Sequence, residues 1–188
     1  MRRLARRLAA CGLCLFMALP ACGGKAVVSD EEPPVGTTGL APVPFPAQQI
    51  REATSNGRTY RFRLDAHGQS ATVRTMRFEE VDDDGATVVS STADTQGNPI
   101  GEPKSQHATW ADLESHAHYP ANATHIKPAS IKTDAGRFDC KLYTVRDAEG
   151  ISRAWFANDL PGAPVRLEIE RDGKIVLRME LIDYAAGK

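Results

Sequence analysis

Val165-Arg166-Leu167-Glu168-Ile169-Glu170-Arg171-Asp172-Gly173-Lys174-Ile175 is the stretch whose reading sets the fold. Apolar residues at 165, 167 and 169 alternate with charged ones at 166, 168 and 170. A strand points successive side chains to opposite faces, so this run is a strand with one apolar face and one wet face. Asp172-Gly173 is a two-residue hairpin signal, and Ile175–Tyr184 returns as the partner strand. The unit predicted is an antiparallel hairpin with one face to bury.

The same grammar repeats upstream. Tyr60, Phe62 and Leu64 alternate with Arg61, Arg63 and Asp65. Ala71–Phe78 alternates too, but Val73 is out of phase with Met76 and Phe78, which predicts a bulge between them. Asp84-Gly85 turns the chain into a thinner strand, Ala86–Ala93, and residues 94–107 read as loop. Strands follow at Thr124–Thr133, Arg137–Arg146 and Ile151–Ala157, separated by Ala135-Gly136 and Glu149-Gly150. Between the two groups, Thr109–His118 predicts a helix with Thr109 as N-cap, Asp112 at N3 and Pro120 as the stop. Trp110, Leu113 and Ala117 share one of its faces. A second short helix is predicted over Gln48–Ser55, closed by Asn56-Gly57. The sum is an α+β domain, mostly β: a curved antiparallel meander of about eight strands, half-barrel-like, with one or two short helices. The domain predicted is residues 48–188.

What precedes the domain has a different character. Arg2, Arg3, Arg6 and Arg7 give a cationic start, and Leu8–Leu19 is almost wholly apolar. That run is about a dozen residues, short of the ~20 that span a bilayer as a helix. With the small Ala21 it has the layout of an export signal, residues 1–21. Leu19-Pro20-Ala21-Cys22 resembles the lipobox of bacterial lipoproteins, with Leu at −3, a small residue at −1 and Cys at +1. The resemblance implies lipidation of Cys22, whose thiolate is the side chain able to take a diacylglyceryl group. It also implies durable attachment through several acyl chains. Gly23, where an Asp would signal inner-membrane retention, implies an outer-membrane lipoprotein whose domain faces the periplasm or, on the same anchor, the cell surface. Residues 22–47 read as the lipidated Cys and a tether rich in Pro and Gly (Pro33-Pro34, Gly36, Gly39, then Pro42, Pro44 and Pro46). A tether of this length reaches about 30 Å as a coil. Its last part, Ala41–Ala47, has the alternative of packing on the domain as an edge.

Cleavage after Ala21 would remove four of the 23 basic residues and none of the 24 acidic ones. The acidic remainder argues against a nucleic-acid partner, which would show a basic patch. Of four cysteines, Cys11 and Cys14 lie in the signal and Cys22 at the lipobox, which leaves Cys140 without a partner for a disulfide. Cys140 shares a phase with Phe138 and Leu142, the position of a buried structural thiol.

Ala135-Gly136-Arg137-Phe138-Asp139-Cys140, then Ala154-Trp155-Phe156-Ala157, then Pro161-Gly162-Ala163-Pro164-Val165 and the Asp172-Gly173 hairpin form an ordered series. Over roughly residues 125–184 it resembles periplasmic domains of unknown function, which are in turn similar to the open half-barrel of the LolA/LolB lipoprotein-carrier group. The resemblance implies a lipid or another hydrophobic ligand on the concave sheet face. No functional residue carries over from it, and no segment stands out as the exposed apolar loop tip of a LolB-like carrier.

No catalytic motif is legible: there is no G-x-S-x-G, H-E-x-x-H, paired-carboxylate or phosphate-loop pattern. His116 and His118 fall on different sides of a helix, whereas Glu114 and His118 share one. No third ligand stands at motif spacing, so no metal and no cofactor is expected. Glu80-x-Asp82-x-Asp84-Gly85 imitates the start of a calcium loop but has Ser91 where the bidentate Glu belongs, and reads as a hairpin turn. Trp155-Phe156 places one ring on each face of a strand. The expected ligand lining is Phe138, Tyr143, Trp155 and Val165. The function read from the sequence is a non-enzymatic binding or scaffolding module, anchored to the membrane through Cys22. The alternatives are an envelope hydrolase and a structural subunit that meets another envelope protein.

Overall fold

A computed structural model describes residues 39–188. The signal, the lipobox with Cys22 and most of the tether lie outside the described residues. The described residues form one nine-stranded antiparallel sheet. Its strands are β1 (Thr59–Ala66), β2 (Thr72–Glu79), β3 (Gly85–Asp94), β4 (Lys104–Thr109), β5 (Thr124–Thr133), β6 (Gly136–Asp147), β7 (Gly150–Ala157), β8 (Arg166–Arg171) and β9 (Lys174–Ala185). Two short helices accompany them, α1 (Ala47–Ala53) and α2 (Trp110–Ser115), with a 3-10 turn at Ala121–Ala123.

The strand order is β4-β3-β2-β1-β9-β8-β7-β6-β5. Two meanders therefore meet where the first strand pairs with the last, and β4 and β5 are the two edges. The chain must pass from one edge to the other through residues 110–123 alone. Nine strands laid flat would hold those edges about 38 Å apart at ~4.8 Å per strand. The link, with its helix, its 3-10 turn and five other residues, reaches about 32 Å at full stretch. It is not at full stretch, since Ala117 N and His118 N donate back to Glu114 O and Ser115 O. The sheet must curl, and the link must lie across one face. That face is called inner below.

Register assigns the faces. Leu64 pairs with Met179, Met179 with Leu167, Leu167 with Ala154, Ala154 with Tyr143, and Tyr143 with Ile126, one apolar row across six strands of the inner face. The neighbouring outer row is Arg63, Glu180, Arg166, Trp155 and Leu142. On the outer face the alternating charges become ion pairs: Arg178 Nε to Glu168 at 2.9 Å, Arg153 Nη1 to Glu170 at 2.8 Å, and Arg166 Nε to Glu180 at 2.6 Å.

Three expectations change. There are nine strands, not eight: Lys104–Thr109, read as loop with its surroundings, is edge strand β4. Its first four residues are all exposed, so it carries no apolar alternation. The bulge expected in β2 is absent, and β2 pairs without interruption with both neighbours. Val73 belongs to the outer face, and the irregularities fall in the pairings of β9 instead, at Arg61/Phe62 and Ile169/Glu170. Finally, the ordered domain begins before residue 48. Ala41, Pro44 and Phe45 are buried, so the alternative of Ala41–Ala47 packing on the domain describes this segment.

The helix start at Thr109 forms as read. Its hydroxyl accepts from Asp112 N while the Asp112 carboxylate accepts from Thr109 N, a reciprocal capping box. Trp110 and Ala117 are buried and Leu113 is half-buried against the core, so the predicted face is the one that packs.

Candidate functional site: a half-covered sheet face

The inner face has two halves along its strands. At the helix end lie Thr59, Gly85, Thr109 and Ala157; at the far end lie Ala66, Thr72, Asp94, the Arg171–Lys174 turn and Thr124, so the link from Thr109 to Thr124 crosses the face obliquely. The helix end is sealed. Trp110 Nε1 donates to Asp82 O at 3.1 Å, tying α2 to the β2–β3 turn. Gly85 fits there because a side-chain carbon would meet Ala108 O at 2.3 Å.

Residues 39–46 form a strap that completes the seal. Ala41 N donates to Tyr119 O at 2.8 Å, and Ala121 N donates to Gly39 O at 2.9 Å. Tyr143 Oη donates to Pro42 O at 2.8 Å, and Lys141 Nζ reaches Pro44 O at 3.4 Å. Phe45 sets its ring edge-on to Phe156, 6.2 Å between centroids, and Phe156 sits edge-on to Tyr143 at 5.3 Å. Proline suits this role: it lacks an N–H to satisfy and holds the chain extended, while its carbonyl still accepts. A signal for the strap does exist in the sequence, since Phe45 is a large aromatic side chain set among prolines that a solvated tether does not need.

A carboxylate closes the join between strap and helices. Glu114 Oε2 accepts from Ala47 N, the first residue of α1, at 2.6 Å, and Glu114 Oε1 lies 3.3 Å from His118 Nε2. The Ala47 N–H first, and His118 second, hold the Glu114 carboxyl below the ordinary glutamate range. Burial, with a smaller contribution from Tyr143, pushes the Tyr119 hydroxyl up to about 12. Burial likewise raises Tyr143.

The four expected lining residues do not share one surface. Tyr143 and Val165 lie in the sealed interior, both essentially without exposure. Phe138 and Trp155 belong to the opposite phase, since Leu142 pairs with Trp155 and Phe138 shares the parity of Leu142. The sequence already held this point: positions 138 and 143 differ by an odd number, and a period of two sends them to opposite sides. Trp155 is half-buried under the Arg166 guanidinium, whose carbon lies 6.0 Å from the ring centroid. Phe138 is buried with its ring tilted against Tyr184 at 6.3 Å.

Cys140 is buried, and burial followed by Asp139 and Asp159 pushes its thiol up to about 11. A thiol held there stays protonated at neutral pH, the character of a structural cysteine. A shallow depression of about 330 Å³ beside it is lined by Pro128, Ser130, Asp139 and Asn158 among others. A second, of about 290 Å³, lies between α1, Asp83 and Trp110. Among the described residues no three of His, Cys, Asp and Glu gather where a metal ion would sit. The Glu80–Gly85 segment is a turn closed by Asp82, whose carboxylate accepts from Asp84 N and Gly85 N.

The far half is covered less completely: the link reaches it on the β5–β6 side, where it enters β5 at Thr124 in the row of Ile169 and Leu177, and the cover thins toward β8, β9 and β1. Leu64, Met179 and Leu167 are only half-buried, as are Leu177 and Ile169 in the next row. Arg74 stands at the β2 side of this surface, paired in register with Phe62. Sequence reasoning missed this half, because alternation marks a face as apolar without saying what will lie on it.

The chain matches no protein-family description and no curated protein.

Proposed function

We propose that this protein is a lipoprotein of the bacterial envelope, held to the outer membrane by lipid on Cys22, whose β domain is a binding module for a hydrophobic ligand. The observation that carries the binding reading is the uneven cover of the inner face: the chain fills the helix end and the β5–β6 side with its own strap, link and aromatic rings, and leaves Leu64, Met179, Leu167, Leu177 and Ile169 only half-buried. Monomeric proteins rarely leave a contiguous apolar patch uncovered without a use for it. The anchor reading rests on the Leu19–Cys22 pattern, and the finer reading, a lipid carrier, on the series of motifs from Ala135 to Gly173.

Two measurements test this. Labelled palmitate should enter the full chain and not the Cys22→Ser chain, and the labelled protein should fractionate with outer membranes; incorporation into neither removes the anchor. Residues 22–188, carrying Cys22→Ser and exported behind an ordinary signal, should show added mass of lipid size in native mass spectrometry that is lost on denaturation. A chain that stays at its bare mass and takes up no fluorescent fatty acid points to a scaffolding subunit, to be pursued through what co-purifies with the anchored form.

A further inference from the structure

We propose that the less covered part of the inner face, at the far end of β1, β9 and β8, holds a single-chain anionic amphiphile, with its carboxylate on Arg74 and its chain along the rows led by Leu64 and Leu177. This deepens the hydrophobic-ligand reading above and rests on it.

The argument starts from an atom that lacks a partner. Arg74 Nε is buried, and it is the one buried side-chain nitrogen or oxygen among the described residues with no hydrogen bond. Leaving such a donor unmade costs about 1–3 kcal/mol, more when the group is charged. Among the described residues Arg74 is also in no ion pair, like Arg58, Arg137 and Arg146, whereas the arginines at 61, 63, 77, 153, 166, 171 and 178 each have one. Those seven belong to the outer charge pattern, and Arg74 stands on the inner face.

Its surroundings explain the missing partner. Along β2, Arg74 lies between Thr72 and Met76 on the inner face, and across the strands it faces Phe62 and Thr92. None of these offers a carboxylate. The nearest in register, Asp94 opposite Thr72, is turned into its own loop, where it accepts from Gln96 N, Asn98 N and Asn98 Nδ2. The site therefore supplies a cation and no anion.

The adjoining surface supplies the complement to an acyl chain. Leu64 is diagonal to Arg74, across the β1–β2 pair. From Leu64 the row continues through Met179 to Leu167, three strands or about 10 Å at ~4.8 Å per strand. Leu177 and Ile169 form a second row beside it, so a chain would lie between two apolar walls. The guanidinium is a planar donor that takes a carboxylate through two parallel N–H bonds, and a short swing of its stem would offer Nε together with one terminal nitrogen. A neutral lipid would use the rows and leave Arg74 as it is; an amphiphilic cation would be repelled.

Titration calorimetry of residues 22–188 carrying Cys22→Ser, with probes below their micelle concentrations, tests this directly. The probes are laurate, dodecanol and dodecyltrimethylammonium, which share a chain and differ in the head. The expected order is laurate tightest, then dodecanol, with the cation weakest. Arg74→Met should weaken laurate by about tenfold, the loss of a charge-assisted bond, and leave dodecanol unchanged. Arg74→Lys should recover part of the loss. Laurate and dodecanol binding alike to the unaltered chain, or laurate binding unchanged in Arg74→Met, overturns the anion site and leaves the hydrophobic-ligand reading standing. Saturable binding of none of the three overturns both. The head-group comparison needs no variant, so a poorly folding Arg74→Met would not shield the proposal.

Discussion

The two halves of the inner face are built on the same strands and covered in different ways. At the helix end the link from β4 to β5 and the strap from Gly39 bring Phe45, Ile50, Trp110 and Ala117 onto Phe62, Tyr143 and Phe156. Toward the far end of β1, β9 and β8 the strands continue with Leu64, Met179 and Leu167, which stay only half-buried. The difference teaches that an apolar sheet face is an unfinished statement. Alternation says that something must cover it; whether that something is the protein's own chain or a ligand depends on where the connections run. Here one short connection and a proline-rich lead-in cover it unevenly.

Substitutions in the two halves should separate them, and the largest effect belongs to the strap. Phe45→Ala removes a ring that is 3% exposed and leaves a cavity against Phe156, so it should cost about 3 kcal/mol in denaturant unfolding. A loss within the ±0.5 kcal/mol usual for surface substitutions would mean that the strap is not part of the core, and the contrast between the halves would collapse. Tyr143→Phe keeps the ring and deletes the bond to Pro42 O, with an expected cost of about 1 kcal/mol by the same measurement.

The Glu114 contact gives the contrast a pH dependence. Its carboxyl titrates lower in the folded protein than in the unfolded chain because Ala47 N and His118 favour the charged form. The stabilisation is therefore complete above the ordinary glutamate range and is lost as pH falls through the lowered folded value. Glu114→Gln should flatten that acid limb of the stability–pH curve and cost about 1 kcal/mol at neutral pH, in the manner of a lost helix cap. An unchanged acid limb would remove Glu114 from the join. The smallest effect should come from the outer face. Arg61→Gln breaks the exposed pair with Asp183 and should shift stability by less than about 1 kcal/mol, fading further in salt.

What could be read from the sequence follows from what period two can carry. Tyr60–Leu64, the strand from Arg137, and the hairpin around Asp172-Gly173 announced themselves because one face is apolar and the other charged. The capping box at Thr109 was legible because its two partners are three residues apart in the chain. Strand β4 was not, because an edge strand with solvent on most sides has no apolar phase to display. The strap was legible only as an alternative to a free tether, because its burial depends on Phe156 and Tyr143, about a hundred positions away. The four expected lining residues divide by parity, not by chemistry: Phe138 and Trp155 are apolar and partly or wholly covered, but they share the opposite strand phase from Tyr143 and Val165. Arg74 was invisible as a site because its distinction is the absence of a partner, and that is a property of the folded neighbourhood.

The strap has one more consequence, and it is mechanical. The strap's own hydrogen bonds begin at Gly39, so a pull applied at Gly39 from its N-terminal side meets them before it meets the sheet. The first bonds in the load path are Ala121 N to Gly39 O and Ala41 N to Tyr119 O, followed by Tyr143 Oη to Pro42 O. They would be peeled one after another, whereas the ladder between β1 and β9 would have to shear as a block. Tension should therefore lift the strap from Phe156 before it disturbs a single strand, which makes the lead-in segment a weak link placed in series between whatever holds the chain and the sheet that does its work.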